Sequence, residues 1–563
     1  MSEFSYRPHA ETGAVSSGPL RGDPKALIAE AREHWRAGRT DAAAAIYWHL
    51  IAHRPEDPEP RYLLGALCER LDLQAEAIEH FAVAIRLAPD NAALFNHLGR
   101  ALAASGRAVE ADHAFRRAIE LNPGFAEAHF NLGTLVRQGG NGAEAVASYR
   151  RALAADPRGI HILINLGITL QELGAAEEAS AALQQAIALD PRSFEAHYNL
   201  GGVLVVQRRL AEAATAYRNA VALNAGMPWA HVNLGYVLQE LHQIDAAIAS
   251  YRCAIALAPE LVQAYVNLAG ALHARRDLRG SLDAVRRAIE LVPADATLHA
   301  NLAQTLGELG DLAGAESAYQ RALQLQPGLP TAQAHLSILL QQLDQGDAAR
   351  RLLDYDRLLQ RRKLDRVEGW PSLAAFNADL ARAIYGHPTL MRDPPGKATQ
   401  HGSQTLEILD TAEGPIAALR QEIEAAAAQY LAQTVTTASD VFAPPPARWS
   451  LHGWGVVLRS SGHQTPHFHP AGIVSGVYYV RIPAVVRSGE AGAAGCIRFG
   501  EPEPTLMAAR RPTAPLATTV RPEEGLMILF PSYFWHQTIP FESSEDRICV
   551  AFDVLAQPAG RAR

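Results

Sequence analysis

The sequence predicts a two-part chain: an α-solenoid of helix–turn–helix repeats, then a mixed α + β domain built on an antiparallel jelly roll with flanking helices. Three observations carry this. Small residues recur every 34 positions through the first part of the chain, and prolines recur at the same interval. After about residue 361 the period stops, and short β-branched and aromatic runs bounded by Gly, Pro and Ser take its place.

The small-residue ladder is Gly65, Gly99, Gly133, Gly167, Gly201 and Gly235, continued by Ala269, Ala303 and Ser337. The proline ladder is Pro55, Pro89, Pro123, Pro157, Pro191, Pro259, Pro293 and Pro327, broken only at Ala225. Between them stand bulky residues such as Phe81, Phe115, Tyr149, Tyr217, Tyr251 and Tyr319. A small residue lets two helices approach, a bulky residue on the second helix fills the space beside it, and proline ends that helix. A pair of short helices cannot bury its apolar stripe alone, so neighbours must stack. This pattern resembles the tetratricopeptide repeat family, over about residues 27–361 and roughly ten units. The last unit, ending RRLLDYDRLLQRRK, is charged and lacks the closing proline, as expected of a solenoid's terminal cap.

Two residues before the small ladder stand Asn131, Asn165, Asn199, Asn233, Asn267 and Asn301, flanked in register by His97 and His335. Asn is worse than Ala in a helix interior by roughly half a kcal/mol. Its amide offers a donor and an acceptor that can grip a peptide backbone. Duplication by descent, with nothing bound, explains the same pattern. The ladder resembles the repeats of O-GlcNAc transferase, which implies a groove for an extended protein or peptide segment.

The remaining composition sets bounds. With 48% hydrophobic and 20% charged residues, the chain is not a disordered polymer. Its net charge of −8 argues against a nucleic-acid partner. Cys68, Cys253, Cys496 and Cys549 are scattered and form no C-x-x-C pair, so neither a zinc ribbon nor a disulfide framework is encoded. No apolar run approaches the roughly 18 residues a membrane span needs, and the first residues lack the apolar core of a signal peptide. The expectation is a cytoplasmic protein without membrane contact, its oligomeric state open. The expected boundaries are a tail over 1–23, the repeat superhelix over 24–361, the second domain over 362–556 and a tail over 557–563.

In the second domain, PSLAAFNADLARAIYGHP and GPIAALRQEIEAAAAQYLAQ carry helical periodicity, and APPPARW marks a break. From Trp449 the runs WGVVLRS, SGVYYVRIP, GCIRFG, LMILFPS and RICVAFDV read as strands. His467 and His469 sit at i and i+2, on one face of an extended segment. His536 lies far downstream, and Arg547 opens the last strand.

This order, together with HGSQT, HGWGVVL, HFHPAGIVSGVYYVRIP and EGLMILFPSYFWHQTIPFESSEDRICVAFD, resembles a bacterial family of 2-oxoglutarate/Fe(II) oxygenases often fused behind tetratricopeptide repeats. The resemblance covers about residues 366–556. It implies a double-stranded β-helix with Fe(II) as the metal and 2-oxoglutarate as cosubstrate. It implies His467 and His536 as iron ligands, Arg547 as the anchor for the far carboxylate, and Tyr479 or its neighbour Tyr478 as a further cosubstrate contact. His469 stands where the wider superfamily has Asp or Glu, which leaves two options: a three-His site, preferred here, or a vacant position. Cys549 stands where Ser is commoner. His452 and His463 are read as non-ligands. Cupins share the architecture, and Gly525 to His536 fits their second motif except at Tyr533. The Glu of their first motif is missing after His469, and Arg547 favours the oxygenase. The implied activity is oxidation of a protein segment held by the repeats. The alternatives are an interaction scaffold whose jelly roll binds metal without oxidation, and an oxygenase for a small molecule or glycan.

Overall fold

The computed structural model describes residues 23–394, 396–435, 444–490, 492–503 and 516–557. Apart from Asp23 and Gln557, the expected tails lie outside these. The chain divides into two compact units, Met1–Pro259 and Glu260–Arg563.

Among the described residues of the first unit, fourteen helices run from Pro24–Arg36 to Ile244–Leu257, alternating 13 and 14 residues in length. They pack as consecutive pairs, and the small-residue ladder is why. A Cβ placed on Gly65, Gly99, Gly133, Gly201 or Gly235 would stand 2.5–2.8 Å from the ring of Phe81, Phe115, Tyr149, Tyr217 or Tyr251, sixteen residues on. The same place beside Gly167 is filled by Leu183. Each ring is buried, so the close approach of the two backbones is locked in from both sides.

A further ladder, unread in the sequence, ends the first helix of each pair. Gly38, Asp72, Gly106, Gly140, Gly174, Arg208 and His242 all have φ between 58° and 83° and lie 34 residues apart. A left-handed residue closes the helix and frees the chain to reverse. Only four of these seven are glycine, which hides the period from inspection.

In the second unit six more repeat helices run from Val262–Ala274 to Gly346–Leu352. A single curled antiparallel sheet follows, with strands β1 (Gln360–Lys363), β2 (Met391–Arg392), β3 (Thr399–Gln404), β4 (Trp449–His467), β5 (Val474–Arg481), β6 (Ile497–Phe499), β7 (Thr518–Val520), β8 (Leu526–Pro531), β9 (His536–Thr538) and β10 (Arg547–Ala556). The order is β1-β8-β5-β10-β4-β9-β6-β7, with β3 on β4 and β2 on β3. The expected helices appear at Leu373–Tyr385 and Gly414–Tyr430.

One expectation is corrected. The charged segment read as a terminal solenoid cap is no cap. The helix Gly346–Leu352 ends early, and Gln360–Lys363 becomes β1, the edge strand paired with β8. Its alternating burial beside charged residues is that of a protected sheet edge, which a helix-period reading misses. The preceding helix, Pro330–Gln342, is covered on both faces, with Ala334 and Ile338 in the same core as the sheet. Polar groups of this helix and of the helix Gly346–Leu352 are matched across the junction. Trp535 Nε1 donates to the Ala334 carbonyl at 3.2 Å, Tyr533 Oη to that of Leu352 at 2.6 Å, and the Leu516 N–H to Gln341 Oε1 at 2.8 Å. His335, the residue in register with the asparagines, packs against Tyr319, Phe468 and Trp535.

Two buried array histidines give the fold a pH dependence. Burial, then the charge of Arg61, pushes His80 down to about 4. Burial alone takes His335 to about 4, with Glu308 opposing. Unfolded histidine titrates near 6.5. Between those values the unfolded state binds protons that the native state refuses, so stability is full above pH 6.5 and falls as pH drops toward 4. Thermal midpoints should therefore fall from pH 7 to pH 5, and His335→Phe should flatten that slope. An unchanged midpoint in wild type would contradict the assignment.

Candidate metal centre

The site forms where β4 and β9 meet. His467 ends β4, His536 opens β9, and the two pair directly across the ladder. A register shift between Gln464 and His467 re-aims the end of β4. Ring centroids of His467 and His536 are 4.2 Å apart; His469 lies 5.2 Å from the first and 5.1 Å from the second. One nitrogen from each of the three lies within 4.8 Å of the others.

The other nitrogen of each ring is already committed. His467 Nδ1 meets the Thr465 carbonyl at 2.7 Å, His536 Nδ1 the Phe534 carbonyl at 2.9 Å, and His469 Nδ1 the Asp553 carboxylate at 2.5 Å. With only acceptors at Nδ1, each ring places a hydrogen there, which leaves Nε2 as the nitrogen able to ligate. Burial, reinforced by the neighbouring imidazoles, lowers His467 to about 4 and His536 further below its ordinary value. Both are thus neutral at physiological pH, the form that ligates a metal.

Beside the rings is a small cavity of about 20 Å³, walled by Trp454, Gln464, Tyr479, Phe530, Thr538 and Arg547. Arg547 is 1% exposed. Among the described residues it has no carboxylate partner; its contacts are Cys549 Sγ at 3.7 Å and the Tyr479 ring, 5.0 Å from its guanidinium carbon. Arg547 Nε is buried without a hydrogen bond, and the buried Tyr479 hydroxyl has no neighbour but Arg547 to bond to among the described residues. A guanidinium and a phenol facing one cavity fit an anionic ligand, and three imidazoles fit a divalent cation.

The structure brings His467, His469, His536, Arg547 and Tyr479 to one cavity, and it separates Tyr479 from Tyr478. The Tyr478 hydroxyl donates to Asn377 at 2.7 Å on the opposite face of the sheet, against the helix Leu373–Tyr385. The Cys549 sulfur takes the weak bond from Arg547, and burial raises its thiol above the ordinary range. His452 stands instead 3.3 Å from Glu407, and His463 faces the Ser461 carbonyl. Missed in the sequence were Asp553 and its partner Ser475. The signal was there: Arg547, Cys549, Ala551 and Asp553 alternate along β10 and so share one face.

The asparagines are half-buried on their helices. Asn165 and Asn199 donate one amide hydrogen to the carbonyls of His161 and Glu195 at 2.9 and 2.8 Å. Asn131 donates to Asn96 and Asn233 to the Tyr198 hydroxyl, while Asn267 accepts from Gln263. Asn233 also hydrogen-bonds to Tyr217, which it reaches beside Tyr198. Asn301 lies in the same register of the helix Ala296–Glu308.

Residues 452–553, which hold the three histidines and Arg547, match the family described as "Putative 2OG-Fe(II) oxygenase". Residues 232–296 and 274–330 match "Tetratricopeptide repeat". The chain carries tetratricopeptide repeats and a 2OG-Fe(II) oxygenase-family domain. That family implies Fe(II) and 2-oxoglutarate. Residues 2–234 also match "Cilia and flagella-associated protein 70 C-terminal domain". Among solved structures, the chain is similar to MamA, 28% identical over 28% of this chain and 94% of that one, with a TM-score of 0.28. It is also similar to YrrB, described as a TPR protein with an unusual peptide-binding site, 23% identical over 35% of this chain and 97% of that one, TM-score 0.31. No curated protein matches the chain. Among the described residues no helix is long and apolar enough to cross a membrane.

Proposed function

We propose that this protein is an Fe(II)- and 2-oxoglutarate-dependent oxygenase that oxidises a side chain of a protein segment held by its repeats. The observation that carries the reading is the unpaired, buried Arg547 beside three histidines whose Nδ1 atoms are all committed elsewhere. His467, His469 and His536 would hold the iron. Arg547, with Tyr479 beside it, would bind the far carboxylate of 2-oxoglutarate. Bound iron and cosubstrate supply the oxidation of an unreactive C–H bond; the protein orients them and keeps water out. Phe530 and Trp454 provide apolar walls. For the protein substrate, support comes from the amide groups of the asparagine ladder. On the helix Pro228–Glu240, Asn233 also stands between the exposed rings of Trp229 and Tyr236, at helical spacing along one stripe.

The test is anaerobic titration with Fe(II), then aerobic incubation with 2-oxoglutarate and a peptide library. Wild type should bind iron, form succinate and add one oxygen atom to a retained peptide. His467→Ala should lose iron binding by roughly 100-fold or more, since one of three ligands is gone. Changing Asn165, Asn199 and Asn233 together to Ala should reduce peptide retention with helicity intact. No iron binding by wild type, or no 2-oxoglutarate turnover with any peptide, would refute the proposal.

A further inference from the structure

Three imidazoles leave a metal site one negative charge short of a site with two histidines and a carboxylate, and the structure holds a carboxylate that can restore it. Asp553 lies on β10, and its side chain is 14% exposed. Its Oδ1 accepts from His469 Nδ1 at 2.5 Å and from Ser475 Oγ at 2.6 Å. Ser475 Oγ is itself 2.8 Å from Ser532 Oγ, and the Ser532 carbonyl accepts the His469 backbone N–H at 2.9 Å. Both the ring and the backbone of His469 are therefore pinned.

Among the described residues His469 is the only basic partner of Asp553. A largely enclosed carboxylate whose only basic neighbour is an imidazole is costly to keep charged. The arrangement makes sense if a cation stands on the far side of the imidazole.

We propose that Asp553 is a positioning residue for the metal. It fixes the His469 tautomer with Nε2 turned inward, and its charge, passed through the ring, supplies the anion that the three-His set lacks. The inference rests on the oxygenase reading above. It gives the cavity an alternating order of charge: Asp553 behind His469, a divalent cation, the dianionic cosubstrate, and Arg547 at the other end. The order sums to zero, whereas the Arg547 end alone is a buried cation without a carboxylate partner among the described residues.

Asp553→Asn separates the two roles. The amide oxygen can still accept from His469 Nδ1, so the tautomer is kept and only the charge is lost. Co(II) titration by calorimetry and visible absorption, on the full chain, compares this variant with wild type and His467→Ala. The expected result is Co(II) binding by wild type that weakens about 10- to 100-fold in Asp553→Asn. The thermal midpoint of the metal-free variant should be equal or higher, because an uncompensated charge has been removed. Binding by Asp553→Asn within about twofold of wild type, while His467→Ala has lost it, overturns this proposal alone. Binding unaffected by His467→Ala, or none by wild type, overturns the metal reading and this proposal with it. If Asp553→Asn folds poorly, Ser475→Ala keeps the carboxylate but loosens it. It should weaken Co(II) by several-fold, and unchanged affinity there also overturns the proposal.

Discussion

Arg547→Met is expected to weaken 2-oxoglutarate binding by roughly 10- to 150-fold while the ligand-free protein melts no lower than wild type. The two halves of that expectation have one cause. The guanidinium is 1% exposed, its Nε is unpaired, and its nearest groups are a thiol and an aromatic ring. A buried cation held this way costs stability until an anion arrives. Hydrogen bonds to a charged partner are worth about 1.5–3 kcal/mol, close to the stated fold-change when one carboxylate is released. Arg547→Lys should fall between, keeping the charge but losing the planar fork. Calorimetric titration of 2-oxoglutarate against protein loaded with a redox-inert divalent metal gives the affinity, and a thermal melt gives the stability. A variant that melts several degrees lower yet binds 2-oxoglutarate normally would mean that Arg547 is a structural residue only.

The second large effect is on the repeats. Gly235→Val should destabilise the first unit by about 2–4 kcal/mol, although valine is a better helix former than glycine. A Cβ at Gly235 would sit 2.5 Å from Tyr251 Cε1, and Tyr251 is 1% exposed, so the ring has nowhere to go. Overpacking costs of about 1–3 kcal/mol per intruding group outweigh a propensity gain well below 1 kcal/mol. Gly270→Ala is the control. That position is exposed on the helix Val262–Ala274, and an added Cβ meets nothing within 4 Å. There only the propensity difference operates, and stability should rise by up to about 1 kcal/mol. Circular-dichroism melts of the full chain decide both. If the two substitutions shift the melt in the same direction, the ladder does not set helix approach.

What could be read in advance followed from periodicity. A spacing of 34 residues is long-range order written along one dimension, and each repeat contacts mainly its neighbours, so local pattern and tertiary packing coincide. Gly235 and Tyr251 announce their contact in the sequence because it recurs at the same offset in other pairs. The strands of the second domain were legible for a related reason, since SGVYYVRIP and RICVAFDV are locally apolar and β-branched. The short strands β1, β7 and β9 were not. Four charged or polar residues at Gln360–Lys363 and three at His536–Thr538 hold no period, and only pairing with β8, β4 and β6 makes them strands.

The sequence by itself therefore determined the repeat array, the order of the sheet's main strands, and the residue types able to hold a metal and an anion. Only the tertiary structure decided which of them share a cavity. It turned Tyr479 rather than Tyr478 toward Arg547, set Asp553 behind His469, and placed the helix Pro330–Gln342 against Trp535 and Phe468. The physical reason is that these contacts join residues 60 to 200 positions apart through sheet register. Register depends on the pairing of whole strands and a bulge between Ile548 and Cys549, which no local window of sequence contains.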